Sequence, residues 1–230
     1  MKGAGNMEYT TVLIPVYNEE KKISATIKAI KNYDIINKIC VINDGSTDNT
    51  SKILEEIDGI EVINMTKNVG KGGAMQAGLE VVIDYSDIIV FIDGDIGETA
   101  EEVIKLIEPV KNKLADVSIA RFPRAKKKGG FGLVKKLARY GVYLHTGVFL
   151  DTVISGQRAF RREVLQNISF PKDYGIEVGT TIDILKKGYK VIEVDVLMHH
   201  NETGRDLSGF IHRGRQFSQI LKTLIRKTIQ

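Results

Sequence analysis

The run Asp87-Ile88-Ile89-Val90-Phe91-Ile92 ends in Asp93-Gly94-Asp95, and no other stretch constrains the fold as strongly. An unbroken apolar run bounded by carboxylates reads as a strand buried on both faces, as in a parallel sheet covered by helices. In open α/β sheets ligands sit beyond the carboxyl ends of the strands, so Asp93 and Asp95 fall where such a fold keeps its chemistry. Two hard oxygen donors on a tight turn suit Mg²⁺ or Mn²⁺, with a phosphate-bearing ligand completing the shell. The same residues also fit an Asp-Gly turn closing a hairpin; the rest of the chain favours the first reading.

Upstream, Tyr9–Val16 is a β-rich apolar run. Pro15 cannot donate to a central ladder and is expected to end that strand. Ile23, Ile27 and Ile30 give helical spacing over Glu19–Tyr33. Lys38–Asn43 predicts a second buried strand, ended by Asp44-Gly45-Ser46-Thr47-Asp48, where Thr47 or Asp48 can cap a helix carrying Ile53, Leu54 and Ile57. Ile60–Met65 predicts a third strand. Asn68-Val69-Gly70-Lys71-Gly72-Gly73-Ala74 then feeds a helix of Met75, Leu79, Val82 and Ile83. Free amides at a helix start beside a lysine can cradle phosphate, although these glycines equally suit a plain flexible turn. A helix over Thr99–Lys113 and a strand at Asp116–Arg121 continue the alternation. This order indicates an α/β protein with a doubly wound, mostly parallel central sheet and helices on both faces.

The second half is more basic, with positive residues clustered at 121–139 and 205–227 on a chain of net charge +4. That distribution points to an anionic ligand, an anionic membrane surface or nucleic acid. The absence of Trp makes a stacking platform for single strands poor. Helical spacing recurs at Leu133, Val134, Leu137, Tyr140, Gly141 and Leu144, over Glu177–Lys187, and after Asp206, which can cap a final helix. Tyr189–Val194 predicts another strand. The basic face of the final helix (Arg213, Arg215, Lys222, Arg226, Lys227) fits a solvated face, an anionic lipid surface or an acceptor pocket. The single cysteine, Cys40, lies in an apolar run and reads as a small core residue. Residues 1–8 are polar and glycine-rich, and no apolar run approaches the roughly 20 residues of a membrane span. A cytoplasmic protein is the expectation, at the inner face of a membrane if its acceptor is lipid-borne.

Pro15-Val16-Tyr17-Asn18-Glu19, Asn43-Asp44-Gly45-Ser46-Thr47-Asp48, Asn68-Val69-Gly70-Lys71-Gly72 and Asp93-Gly94-Asp95, in this order and each at a strand or loop end, resemble the family-2 glycosyltransferases with the GT-A fold. The resemblance covers nearly the whole chain, less specifically after residue 120. It implies a single domain over residues 1–230, with a nucleotide-sugar half at 9–120 and an acceptor half at 121–230. It also implies that Pro15, Tyr17 and Glu19 line the nucleoside pocket and that Asp44 accepts a hydrogen bond from the base. Lys71 would approach the nucleotide or sugar, and Asp93 and Asp95 would meet a Mg²⁺ or Mn²⁺ ion bridging the donor diphosphate. Asp95 would act catalytically through that ion, since a divalent cation stabilises the charge of a departing diphosphate.

The acceptor half carries two resemblances. Arg121 through Arg139, and Ser155-Gly156-Gln157-Arg158-Ala159-Phe160-Arg161, are similar to polyprenol-phosphate sugar synthases. Arg121, Arg124, Arg139, Arg158 and Arg205 would then surround an acceptor phosphate, where planar guanidinium groups fit well. The segment 170–179 and His199-His200-Asn201 look more like glucosyl-3-phosphoglycerate synthases, in which a histidine is a further metal ligand. On that likeness His200, or His199 beside it, completes the metal shell; a hydrogen-bonded surface histidine is the plainer reading. An ionised phosphate oxygen needs no strong base, whereas a hydroxyl acceptor in an inverting reaction needs a carboxylate beside it. Glu177 is the candidate, with Asp173 behind it, though a carboxylate at a helix start is also favoured by the dipole alone.

The leading expectation is a metal-dependent transferase taking a UDP- or GDP-linked sugar to a phosphate-bearing acceptor such as a polyprenol phosphate. Transfer to a small phosphorylated acceptor is the alternative, and a non-catalytic nucleotide-sugar-binding module the next. The implied partners are the donor, the acceptor and an anionic membrane, with a homodimer left open. Nucleotidyl transfer fits less well, because Tyr17-Asn18-Glu19 stands where a glycine- and arginine-rich loop belongs. Nucleic acid is the weakest reading, since no recognition motif accompanies the basic stretches.

Overall fold

The computed structural model describes residues 8–123, 132–168, 175–199 and 207–229. Seven strands, β1 (Thr10–Val16), β2 (Lys38–Asn43), β3 (Glu61–Asn64), β4 (Ile88–Phe91), β5 (Val117–Arg121), β6 (Arg158–Arg161) and β7 (Val191–Asp195), form one sheet of order β3-β2-β1-β4-β6-β5-β7. β1 pairs in parallel with β2 and β4, β2 with β3, and β5 with β7. β6 runs antiparallel between β4 and β5. The expected mostly parallel sheet is present, with β6 as its one reversed strand. A strand of four residues with arginine at both ends carries too little pattern to be foreseen.

Both faces are covered. Leu13, Ile89 and Phe91 point into a core with α3 (Lys71–Val82), α5 (Leu133–Thr146), α6 (Arg162–Gln166), α7 (Ile176–Lys186) and α8 (Leu207–Ile229). Val12, Ile14, Ile88 and Val90 point the other way, toward α1 (Ile23–Ile30), α2 (Thr50–Glu55) and α4 (Ile104–Lys111). Strict alternation on strands that are apolar at every position is what a doubly covered sheet requires. Each fully buried aliphatic side chain contributes about 1.5–3 kcal/mol.

Three local expectations shift. The helix expected over Glu19–Tyr33 is confined to Ile23–Ile30, leaving residues 17–22 free to form a loop. The helix expected from Thr99 begins as a 3₁₀ turn over Gly97–Val103 before α4. Pro15 does not end β1, which continues to Val16 with Pro15 opposite Ile42. Pairing with β4 stops at Leu13–Phe91, and the backbone of residue 15 faces that side, as that of Leu13 does, so its missing N–H interrupts no ladder.

The carboxyl ends of β1, β2 and β4 lie side by side, so the three motifs that follow them meet at one edge. Gly45 sits there in the left-handed region (φ +67°), and a Cβ would stand 2.8 Å from the backbone nitrogen of Asn68 and the carbonyl carbon of Lys67. Neither backbone atom can yield without moving the next loop. Gly45→Ala is expected to cost roughly 2 kcal/mol or more, from the left-handed penalty plus the clash. Urea unfolding measures it; a midpoint equal to that of the parent would contradict this packing.

Candidate functional site

The loop after β1 and the loop after β2 are laced together. Asn18, left-handed at φ 57°, accepts the Thr47 amide on Oδ1 at 2.8 Å and donates its own amide to Ser46 Oγ at 3.0 Å. The Glu19 amide donates to Thr50 Oγ1 (2.9 Å), and Glu20 Oε2 accepts the backbone and side-chain amides of Asn49 at 3.0 and 2.9 Å. Pro15 lies within β1, and Tyr17 is exposed at the mouth. Asp44 is buried, and its two oxygens accept the amides of Val69 (2.8 Å) and Gly70 (2.9 Å). The carboxylate expected at the base thus also anchors the glycine-rich loop. It fixes the start of α3, whose first turn has no side-chain cap.

Asp93-Gly94-Asp95 is held by one hydroxyl. Thr26, fully buried on α1, donates to the Gly94 carbonyl at 2.7 Å and accepts the Gly97 amide at 2.8 Å, spanning Asp95 and Ile96. Lys22 Nζ donates to the Asp95 carbonyl at 3.1 Å. The Glu19 carboxyl is pushed up to about 7 by burial and by the Asp95 carboxylate; Lys22 opposes the shift, and Asp93 and Asp48 add to it. The corner therefore carries more negative charge than its lysine offsets. Hard oxygen donors with a charge surplus fit Mg²⁺ or Mn²⁺. Among the described residues no group of three or more His, Cys, Asp or Glu side chains closes into a metal cage, so Asp93 and Asp95 could supply only part of a coordination shell.

The other side of Asp93 is occupied. Lys71 Nζ lies 2.5 Å from Asp93 Oδ1 and 3.8 Å from Glu177 Oε1, and Gln157 Nε2 donates to Asp93 Oδ2 at 2.6 Å. Burial alone would push the Lys71 ammonium down; the Asp93 and Glu177 carboxylates outweigh it and hold the group above the ordinary lysine range. Glu177, in the first turn of α7, is thereby joined to Asp93 through one lysine. Thr26 and Gln157 are site residues that sequence reasoning missed. One is a helix threonine, and the other lies in the segment Ser155–Arg161, whose likeness to polyprenol-phosphate sugar synthases gave a role to Arg158 alone.

The basic residues assigned to acceptor phosphate divide differently from expectation. Arg158 is 3% exposed and donates to the carbonyls of Ser155 and Val153 and to Thr181 Oγ1. Burial lowers its guanidinium to about 10, against the attraction of Glu177. It underlies the site instead of facing solvent. Arg121 forms a bidentate pair with Asp195 across β5 and β7, at 2.5 and 2.8 Å. Arg139 is tied to Asp151 through the carbonyl (2.7 Å) and the carboxylate (3.3 Å). Arg124, Asp173, His200 and Arg205 lie outside the described residues. His199 is exposed, and its amide donates to Thr99 Oγ1 at 3.0 Å, which brings the chain after β7 beside the turn that follows Asp95.

Two outcomes follow from this geometry. Thr26→Val leaves the Gly94 carbonyl and the Gly97 amide buried without a partner, which should cost about 2–4 kcal/mol in urea unfolding; an unchanged midpoint would remove Thr26 from its role. In EDTA-treated protein, Glu19 weakens the fold as pH rises from 4.5 through about 7, because the folded state holds its proton more tightly than the unfolded chain does. Glu19→Gln should therefore raise Tm at pH 8 by about 2–4 °C, as about 1 kcal/mol does in a chain of this size, and leave it unchanged near pH 4. An equal shift at both pH values would contradict the charge argument.

With the geometry established, similarity to known proteins can be stated. The model of the glycosyl transferase family 2 matches residues 11–169. UDP-N-acetylglucosamine–dolichyl-phosphate N-acetylglucosaminyltransferase of Methanococcus voltae is 29% identical over 69% of this chain and 71% of its own length. Polyprenol monophosphomannose synthase of Mycolicibacterium smegmatis is 28% identical over 85% of this chain and 79% of its own. Glucosyl-3-phosphoglycerate synthase from Mycobacterium tuberculosis, solved with Mn²⁺, UDP and glucosyl-3-phosphoglycerate, superposes with a TM-score of 0.79 at 25% identity, covering 96% of this chain and 80% of that one. The laced loops, the acidic turn closing β4 and the match over most of the sequence converge: this chain belongs to glycosyl transferase family 2 and is a glycosyltransferase with the GT-A fold.

Proposed function

We propose that this enzyme moves a sugar from a UDP- or GDP-linked donor to a phosphate-bearing acceptor, with polyprenol phosphate as the acceptor class. The observation that carries the reading is the position of Asp93-Gly94-Asp95 at the carboxyl end of central strand β4, beside the laced loops of β1 and β2 and against Lys71. In this reading Pro15, Tyr17 and Glu19 line the nucleoside, and Asp44 accepts from the base with the lone pairs its two amide bonds leave. Asp93 and Asp95, with His200, would hold Mg²⁺ or Mn²⁺. That ion, when bound, stabilises the negative charge gained by the departing diphosphate. Lys71 adds a positive charge on the same side. The solved relatives bound to Mn²⁺ or Mg²⁺ with UDP support this assignment. Arg139, with Arg124 and Arg205, is assigned to the acceptor phosphate. An ionised phosphate oxygen attacks without a base, which leaves Glu177 to orient Lys71 and the sugar.

A specific surface favours a lipid-borne acceptor over a small one. On α5, Tyr140 is 59% and Leu144 80% exposed, and on α8 Ile225 is 54% exposed. Neither helix contains an Asp or Glu, while Lys135, Lys136, Lys222 and Arg226 are present. Apolar and aromatic side chains edged by lysines and arginines suit an anionic lipid surface. Contact would be peripheral, since no described helix is long and apolar enough to cross a membrane. Transfer to a small phosphorylated acceptor, favoured by the likeness to glucosyl-3-phosphoglycerate synthase, is the competing assignment.

The test is transfer from labelled UDP-glucose, UDP-N-acetylglucosamine and GDP-mannose to undecaprenyl phosphate in vesicles, run beside 3-phosphoglycerate. Product on the lipid, lost in EDTA and restored by Mn²⁺, is expected; product on 3-phosphoglycerate alone would move the assignment to the small acceptor. Asp95→Asn should lower kcat about 100-fold or more, since several kcal/mol of charge stabilisation is removed. Sedimentation with phosphatidylglycerol vesicles but not phosphatidylcholine vesicles is expected at low salt, and equal partitioning would exclude the surface.

A further inference from the structure

We infer that Gln157 is a positioning residue of the donor site: its carboxamide, opposite Lys71, fixes the carboxylate plane of Asp93. The inference rests on the donor reading above and names a residue that reading does not use.

In the antiparallel pair of β4 and β6, Phe91 lies opposite Arg158. One step further sets Gln157 opposite Ile92, and a second sets Gly156 opposite Asp93. The Gln157 backbone is pinned on its other side, where its carbonyl accepts the Ala120 amide at 3.0 Å. Its side chain is 2% exposed, and its Nε2 meets Asp93 Oδ2 at 2.6 Å. The amide has one sensible orientation. Oε1 accepts the Ser155 hydroxyl at 3.3 Å, whereas a flipped group would set a carbonyl oxygen against the carboxylate. Asp93 thus receives an ammonium on one oxygen and an amide on the other, both charge-assisted bonds.

Gly156 completes the floor. A Cβ there would lie 2.4 Å from Lys71 Nζ and 3.4 Å from each Asp93 oxygen. Only a residue without a side chain lets the ammonium settle on Asp93. Ser155, Gly156 and Gln157 therefore act together: the first orients the amide, the second leaves room for the lysine, and the third holds the aspartate. Partners that orient ligand side chains from behind typically change metal affinity or activity 10–100-fold.

The experiment measures Mn²⁺ binding by electron paramagnetic resonance, with and without UDP, on wild-type protein, Gln157→Leu, Gly156→Ala, Asp93→Asn and the Gln157→Leu/Asp93→Asn double variant. Steady-state kcat and donor KM are taken alongside. Gln157→Leu is expected to weaken Mn²⁺–UDP binding about 10–100-fold and to add nothing further once Asp93 is already changed. Gly156→Ala sets its Cβ against both the Lys71 ammonium and the two Asp93 oxygens, so it should disturb the same carboxylate and weaken binding in the same direction; it carries the test of the Asp93 geometry if Gln157→Leu fails to fold. Wild-type affinity in both single variants, or losses that simply add in the double variant, would overturn the inference. Wild-type protein that binds neither Mn²⁺ nor UDP would overturn the donor reading and this inference with it.

Discussion

A single hydroxyl connects the two layers on which the site is built. Thr26 belongs to α1, in the core below the sheet, yet its Oγ1 bridges the carbonyl and amide groups on either side of Asp95. The acidic turn has no regular secondary structure of its own to fix it. Held by α1, it inherits the rigidity of a helix that buries Ile23, Ile27 and Ile30 completely. Positioning carboxylates to a fraction of an ångström requires supports that cannot themselves move. Here the support is a buried side chain whose donor and acceptor are both used.

The electrostatics follow from that rigidity. Glu19, Asp93 and Asp95 are gathered in one corner, and Glu19 is pushed up first by its burial and then by the carboxylates of Asp95 and Asp93. Lys71 relieves Asp93, Lys22 the backbone at Asp95, and Arg158 acts from beneath. Arg158 is the unusual member. A buried guanidinium normally carries a carboxylate partner, but its bonds go to two carbonyls and a threonine hydroxyl, with Glu177 contributing through space. Its charge is therefore not cancelled locally and is felt at Lys71. The site thus sits between a fixed cation below and a surplus of carboxylate above.

The first half of this arrangement was legible in the sequence because each motif sits where a buried strand stops. Runs such as Ile88–Ile92 reveal their strand by composition, and a parallel sheet brings the stops to one edge. Asp93 and Asp95 could be named from that alone, whereas Asp44 and Lys71 took their roles from the family resemblance. The second half was not legible for a physical reason. Through the family resemblance Arg121, Arg139 and Arg158 read alike as acceptor-phosphate ligands. Whether an arginine is paired, bound to a carbonyl or free depends on residues up to 74 positions away, as with Arg121 and Asp195. Thr26 and Gln157 escaped for the same reason, since their partners lie 68 and 64 positions distant. Pro15 shows the converse: a sound local rule that fails because the neighbouring strand has already ended.

The reversal at β6 is the structural step that joins the two halves. A parallel strand beside β4 would place its own carboxyl end, and the loop leaving it, at the site edge. An antiparallel one instead brings the residues that precede it, Ser155, Gly156 and Gln157, to that edge. The chain arriving from α5 therefore reaches the back of Asp93 before it enters the sheet. From Gly156 the cluster extends through Lys71 to Glu177 on α7. One lysine from the glycine-rich loop consequently touches an aspartate of the first half and a glutamate of the second. The direction of a single four-residue strand thus determines whether the carboxylates after β4 and the helices of the second half share a common set of contacts.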